Sequence, residues 1–400
     1  MQLHVRHPVL LPAATRQPGA RAFATLFLLE SVARASVASV IPIQAYDILR
    51  NEQQVSFLYT SLGLVGLASA VLIPILLSRT RRAWVYTLGA ACLAIAAGLF
   101  IMSTLFGLAT GMVTRVFGTA CLNITLNLYI MDWIRKKELV RSESLRMAFA
   151  TAAWTLGPAL GVWLYTEWGV WAAHGWAAAW ACVLAAVFWY LRIAEGTPIR
   201  SGRVKPANPL GNVARFLEQP RLRLAWLIAF GRSCFWSTFF IYTPILMVLT
   251  GEGKIAGAIV VSAGNLLLLG ALFWGRLGQR YGVRKVIAGA FVGLAAFCLI
   301  AGLAGTSAPW LAAMALLGGA ACAAGLDAIG GVAFLRAVRP HERAQMTAVY
   351  RTYIDFSDFA PPFFYGIALG FFGLGVVFIL LSMFMLTCAG FAWRYLPRSM

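Results

Sequence analysis

Tyr350-Arg351-Thr352-Tyr353-Ile354-Asp355-Phe356-Ser357-Asp358-Phe359-Ala360-Pro361-Pro362 places three ionisable side chains at the edge of a stretch that then runs without a charge to Trp393. On a soluble helix such residues would face water. Here 60% of the 400 residues are hydrophobic, 12% are charged, and the mean hydropathy is +0.78. Soluble domains carry roughly 25% charged residues. A charge inside a bilayer costs several kcal/mol unless it is paired or wetted, so the chain must give Arg351, Asp355 and Asp358 partners, water or a task.

Outward from this stretch, apolar runs near the ~20 residues that cross a bilayer recur along the whole chain. Twelve spans are read, at about 22–45, 57–77, 84–104, 108–132, 146–166, 170–192, 224–249, 255–274, 286–304, 309–335, 345–371 and 375–393. The expected fold is an all-α polytopic membrane protein. Two six-helix bundles, 22–193 and 223–393, are joined by a linker rich in Arg, Pro and Gly at 194–222, with tails at 1–21 and 394–400. An even number of spans puts both termini on one side. Of 33 Lys and Arg residues, 27 fall on that side, Arg50 and Lys254 on the other, and Arg34, Arg115, Arg232 and Arg351 within the spans. The positive-inside rule then makes the terminal side cytoplasmic, in a bacterial-type inner membrane.

The same distribution removes a nucleic-acid reading of the +19 net charge, because the cations sit in loops rather than on one patch. The first twenty residues hold Arg6, Arg16, Pro8, Pro12 and Pro18 without an apolar core, so a cleaved signal peptide is not expected. All seven cysteines lie in apolar segments without C-x-x-C spacing and read as small buried hydrophobes. There is no phosphate-loop motif, no H-E-x-x-H and no arguable Ser/His/Asp set, which excludes ATP-driven chemistry, an intramembrane enzyme and a cofactor. His174, expected at the far end of span six, has no second intramembrane His and no metal-ligand cluster.

The halves ought to repeat each other. Pro74-Ile-Leu-Leu-Ser-Arg79 follows span two as Gly275-Arg-Leu-Gly-Gln-Arg280 follows span eight, and Gly157-Pro158 in span five corresponds to Ala360-Pro361 in span eleven. The stretch from Gly275, continued as Tyr281-Gly282-Val283-Arg284-Lys285, resembles the G-x-L-a-D-R-x-G-R-R loop motif of the major facilitator superfamily of secondary transporters. The motif's acid is replaced by Gln279 and, in the first half, by Ser78, which removes the usual charge latch. Arg115-Val-Phe-Gly118 is similar to the family's R-x-x-x-G motif with its glycine one place early, and Gly157-Pro158-Ala-Leu-Gly161 to the G-P-x-x-G motif best known from proton-coupled drug antiporters. The resemblance covers the whole chain. It implies rocking of two bundles about a central cavity lined by spans one, four, seven and ten, with Gly275, Arg280, Gly282 and Arg284 in the gating loop and Arg115 implicated in proton coupling.

The polar residues inside the spans give the candidate site. Glu30 and Arg34 are spaced i,i+4 and read either as a self-neutralising structural pair or as a protonatable acid with a conditional partner. Arg115, Thr119, Asn123 and Asn127 follow one another at i+4 and look into one sector of span four. Span seven offers Arg232, Trp236 and Tyr242 among hydroxyl residues, span eight Asn265, and span ten Asp327. Asp327 is either a proton carrier or a partner of Arg351 or Arg232. Arg351, Asp355 and Asp358 share a face of span eleven, where one Arg faces two acids. The functional expectation is a transporter moving a small organic solute by alternating access, with proton-coupled efflux preferred and Glu30, Asp327, Asp355 and Asp358 as proton carriers. The alternatives are uptake of an organic anion with protons, or a non-transporting relative that assembles membrane complexes. The partners are solute, protons and lipid, and the chain is expected to act as a monomer.

Overall fold

The computed structural model describes residues 19–134, 139–191, 209–338 and 343–397, and among these every regular element is helical. Ten segments are long and apolar enough to cross a bilayer: Ala20–Leu49, Glu52–Arg79, Arg82–Ile101, Leu105–Trp133, Leu145–Glu167, Val170–Tyr190, Pro220–Leu249, Val283–Ala304, Pro309–Ala337 and Gly375–Tyr395. Lys254–Gly270 and Phe273–Tyr281 make an eleventh, bent by 49°. The expected span eleven is helices Arg343–Tyr350 and Thr352–Leu369, which meet at Arg351 and carry Asp355, Asp358, Pro361 and Pro362. Taken in chain order these are spans one to twelve. Residues 1–18 of the expected tail 1–21, residues 192–208 with most of the expected linker 194–222, the loop 135–138 and residues 339–342 and 398–400 lie outside the described residues.

Besides the bend in span eight and the one-residue interruption of span ten at Gly330, spans one and eleven are broken, the first for a readable reason. Pro42 lacks the N–H that would bond the Ala38 carbonyl, and its ring crowds that carbonyl. Span one accordingly gives way over residues 36–39, between helices Ala20–Ala35 and Val40–Leu49. Span eleven instead breaks at Arg351, two residues before Tyr353, although Pro361 and Pro362 lie inside its second helix. These prolines leave the Ser357 and Asp358 carbonyls without their i+4 donors.

Small residues set the contacts between helices. A Cβ on Gly161 would stand 1.5 Å from the Ser36 carbonyl oxygen and one on Gly157 2.7 Å from the Ala35 Cβ, so these two glycines let span five lie on the break of span one. Between the halves, a Cβ on Gly63 would meet the Phe359 backbone at 2.6 Å, which brings span two against span eleven. The loop motif differs from expectation. Residues 275–280 are the last turns of helix Ala271–Tyr281, and the turn comes at Gly282 with φ of 88°, a backbone region that favours glycine. Residues 74–79 likewise finish helix Glu52–Arg79, because the apolar residues after Pro74 continue the helical pattern.

The apolar core shows how the halves sit. One cluster is continuous through the end opposite the termini, joining Val40, Ile43, Val55 and Phe100 to Tyr242, Leu246, Val261 and Tyr365. The terminal end of the first half has a separate core of Phe23, Leu26, Tyr86, Leu126 and Phe188. Spans two and eleven, and spans five and eight, pack across the halves; the outer piece of span one also packs on span seven. The polar contacts between the halves, Asp47 with Lys254, Ser56 with Tyr242 and the Ala159 amide with Ser262, lie between mid-depth and the far end. The halves therefore meet from mid-depth to the far end and diverge toward the termini.

Candidate transport site

At mid-depth the two halves turn different polar groups toward each other. In the first half, the Arg34 guanidinium donates to Glu30 Oε1 at 3.0 Å, one turn apart on span one. Glu30 is fully buried and Arg34 is partly open, so the pair presents its cation. Arg34 also lies 5.9 Å over the Trp154 ring of span five. Trp154 in turn meets Phe240 of span seven edge to face at 5.5 Å, an aromatic crossing between the halves.

In the second half, Arg232 and Asp327 pair at 2.7 Å, Trp236 Nε1 donates to the other Asp327 oxygen at 2.8 Å, and Arg232 donates to the Tyr353 hydroxyl at 3.0 Å. Both oxygens of Asp327 are therefore held. Of the two partners open to Asp327 from sequence, it takes Arg232 rather than Arg351. The break in span eleven sets Arg351 outside the helix that carries Asp355, and no ion pair joins them. Asp355 Oδ1 faces Gly66 of span two, and Asp358 stands beside Ser237 with Arg34 and Arg115 in electrostatic reach across the halves. Among the described intramembrane acids, these two alone lack an ion-pair partner.

The remaining expected site residues divide. Arg115 is turned into the first half, where it donates to the Arg34 carbonyl at 3.3 Å. Asn127 accepts from Arg146 at 2.8 Å, while Thr119 and Asn123 are partly open on the same sector of span four. Tyr242 is fully buried and bonded to Ser56 at 2.7 Å, and Asn265 is buried and donates to Val261 of its own helix. Neither faces the opening in this conformation. Arg284 donates to the Trp393 carbonyl and lies 4.9 Å over its ring, and Arg280 lies over Tyr281, so the motif arginines bind within the second half. Gly275 stands open, and a Cβ placed there would meet nothing within 4 Å. His174, expected at an interface, is fully buried inside the first half because Gln44 and Phe100 reach it there.

Sequence reasoning missed the seal at the far end. Asp47 of span one takes Lys254 of span eight at 2.5 Å and the Tyr165 hydroxyl at 3.0 Å. Ser56 meets Tyr242 nearby, and the Ala159 amide donates to Ser262 across spans five and eight at 3.2 Å. The signal was one acid and one of only two far-side cations at span ends in opposite halves, but pairing them requires the arrangement of the bundles.

A search of curated proteins finds no match. Among solved structures, the nucleoside transporter NupG is 14% identical with a TM-score of 0.70, covering 94% of this chain and 99% of that one. A POT family transporter in complex with 5-aminolevulinic acid is 13% identical with a TM-score of 0.74, covering 94% and 97%. A POT family transporter bound to a thioalcohol-conjugated peptide is 14% identical with a TM-score of 0.70, covering 93% and 94%. These likenesses concern the fold. The family model described as Major Facilitator Superfamily matches residues 23–269 and 254–400, nearly the full length. The chain belongs to the Major Facilitator Superfamily of membrane transporters.

Proposed function

We propose that the protein is a proton-coupled secondary transporter that exports a small organic solute by rocking its two halves about the mid-depth site. The observation that carries this reading is the unpaired acid pair, Asp355 and Asp358, in an opening where Glu30 and Asp327 already hold Arg34 and Arg232. An intramembrane acid without a partner is a functional site by default. Asp358, with Asp355 beside it, exchanges the proton. Glu30 is a second carrier, since its Oε2 is buried without a partner while Oε1 holds Arg34. Asp327 acts with Arg232 to fix the second half's face of the site. Thr119, Asn123, Trp236 and Arg34 contact the solute, and the Trp154–Phe240 crossing forms the floor on which it rests.

The charge asymmetry of the loops supports cytoplasmic termini and an inner-membrane location, with this conformation open to the cytoplasm. One chain contains one complete site, which supports action as a monomer. Export rests on the Gly157-Pro158-x-x-Gly161 resemblance. Uptake of an organic anion is less favoured, because Arg34 and Arg232 each already hold a carboxylate. A thermal-shift panel of metabolites and amphipathic dyes on the purified protein selects ligands. Inverted vesicles with an imposed pH gradient then test them: accumulation inside supports export, accumulation only in right-side-out vesicles supports uptake, and gradient-independent flux removes proton coupling.

A further inference from the structure

Inside the first half, away from the opening, lies a small cavity of about 10 Å³ lined by Ala33, Val37, Phe100, Arg115, His174 and Ala177 among others. Its chemistry follows from one hydrogen-bond chain. Gln44 Nε2 donates to the Phe100 carbonyl at 2.8 Å, so the amide oxygen of Gln44 points the other way, to His174 Nε2 at 2.8 Å. That oxygen has only lone pairs to offer. His174 therefore carries its hydrogen on Nε2, and Nδ1 is left as an acceptor. The side chain of His174 is fully buried, Nδ1 has no partner, and the ring lines a cavity that Arg115 also lines. A buried acceptor without a donor forfeits the hydrogen bond it makes to water in the unfolded chain. A cavity holds a water molecule once it offers about 10–15 Å³ and at least two polar partners. The cavity is about that size, and His174 and Arg115 are the polar residues that line it.

We propose that this cavity is a binding site for a single water molecule, which donates to His174 Nδ1 and accepts from the Arg115 guanidinium. The site has a consequence for span one. Arg115 also donates to the Arg34 carbonyl, in the last turn before the break at residues 36–39, and Gln44 belongs to the helix after the break. The water thus closes a loop, Arg34–Arg115–water–His174–Gln44, that clamps the two pieces of span one through spans four and six. One piece carries Glu30 and Arg34 at mid-depth and the other carries Asp47 at the far-end seal. His174 and Arg115 are positioning residues for that joint.

The test uses the full-length protein. A map fine enough to show ordered water should contain a peak about 2.8 Å from His174 Nδ1; an empty cavity, or an Nδ1 turned onto a protein donor, overturns the proposal. Ala177→Val fills the cavity with two added methyl groups, whereas Ala33→Ser offers a hydroxyl in the water's place. Ala177→Val should lower the melting temperature and speed amide exchange at residues 36–39 severalfold while leaving the second half unchanged, and Ala33→Ser should do neither. Exchange at the break that is unaltered by Ala177→Val contradicts the clamp. Should Ala177→Val fail to fold, the peak in the unaltered protein still decides.

Discussion

Asp327 and Asp358 line the same opening, yet one has both oxygens held and the other stands free of any cation within ion-pair distance. Their amide substitutions should separate. Asp327→Asn removes the carboxylate that neutralises Arg232 and should destabilise the protein by about 1–3 kcal/mol, read as a lower thermal midpoint in detergent. Asp358→Asn should leave that midpoint close to wild type and abolish gradient-driven accumulation in vesicles. Equal loss of stability in both would remove the distinction. At this scale the sequence shows which side chains are out of place in lipid, and the i+4 spacing finds Glu30 with Arg34. It does not show where a long side chain goes. Arg115 shares a helical sector with Thr119 and Asn123 but bends back to the Arg34 carbonyl, because a broken helix leaves that carbonyl in need of a donor.

The break in span one and the glycines of span five form one joint, and the joint makes a prediction at the scale of helices. Gly161→Ala places a Cβ 1.5 Å from the Ser36 oxygen, so spans one and five must separate. Transport and the thermal midpoint should both fall. Gly98→Ala, where nothing lies within 4 Å, should change neither and so controls for any general effect of losing a glycine. An unaffected Gly161→Ala protein would mean that span five does not rest on the break. The Gly157-Pro158-x-x-Gly161 pattern is legible from sequence as a close-packing site, whereas the break before Pro42 was not read, and span one was expected to be continuous over 22–45. That the two meet is not legible, since helix partners depend on how twelve spans are arranged. Span boundaries were readable to within several residues, and the misplacement of residues 275–280 as loop arose because their glycines suggested a turn that only Gly282 makes.

At the scale of the whole molecule, the halves are joined from mid-depth outward and parted toward the termini. The Asp47–Lys254 pair is the polar part of that seal. Asp47→Cys combined with Lys254→Cys should cross-link under oxidation, stop transport, and recover on reduction; transport that continues while cross-linked excludes opening at this end. The two-bundle architecture was legible from charge placement and span count, because bilayer crossing leaves few alternatives. Which end is sealed was not, because a single sequence encodes every conformation of the cycle.

Alternating access governed by a proton at Asp358 is the central claim, and distances between the halves test it without knowledge of the solute. On a Cys182→Ala background, since Cys182 is exposed, spin labels replace Phe106 and Leu311 at the far end, or Trp84 and Tyr281 at the terminal end. Pulsed electron paramagnetic resonance in proteoliposomes should find two populations with opposed changes at the two ends. Acid should raise the far-end-open share, because a neutral Asp358 loses the attraction to Arg34 and Arg115 present in the sealed conformation. Asp358→Asn should remove most of this pH response. A single distance at both ends from acid to neutral pH, or an unchanged pH response in Asp358→Asn, would contradict the account.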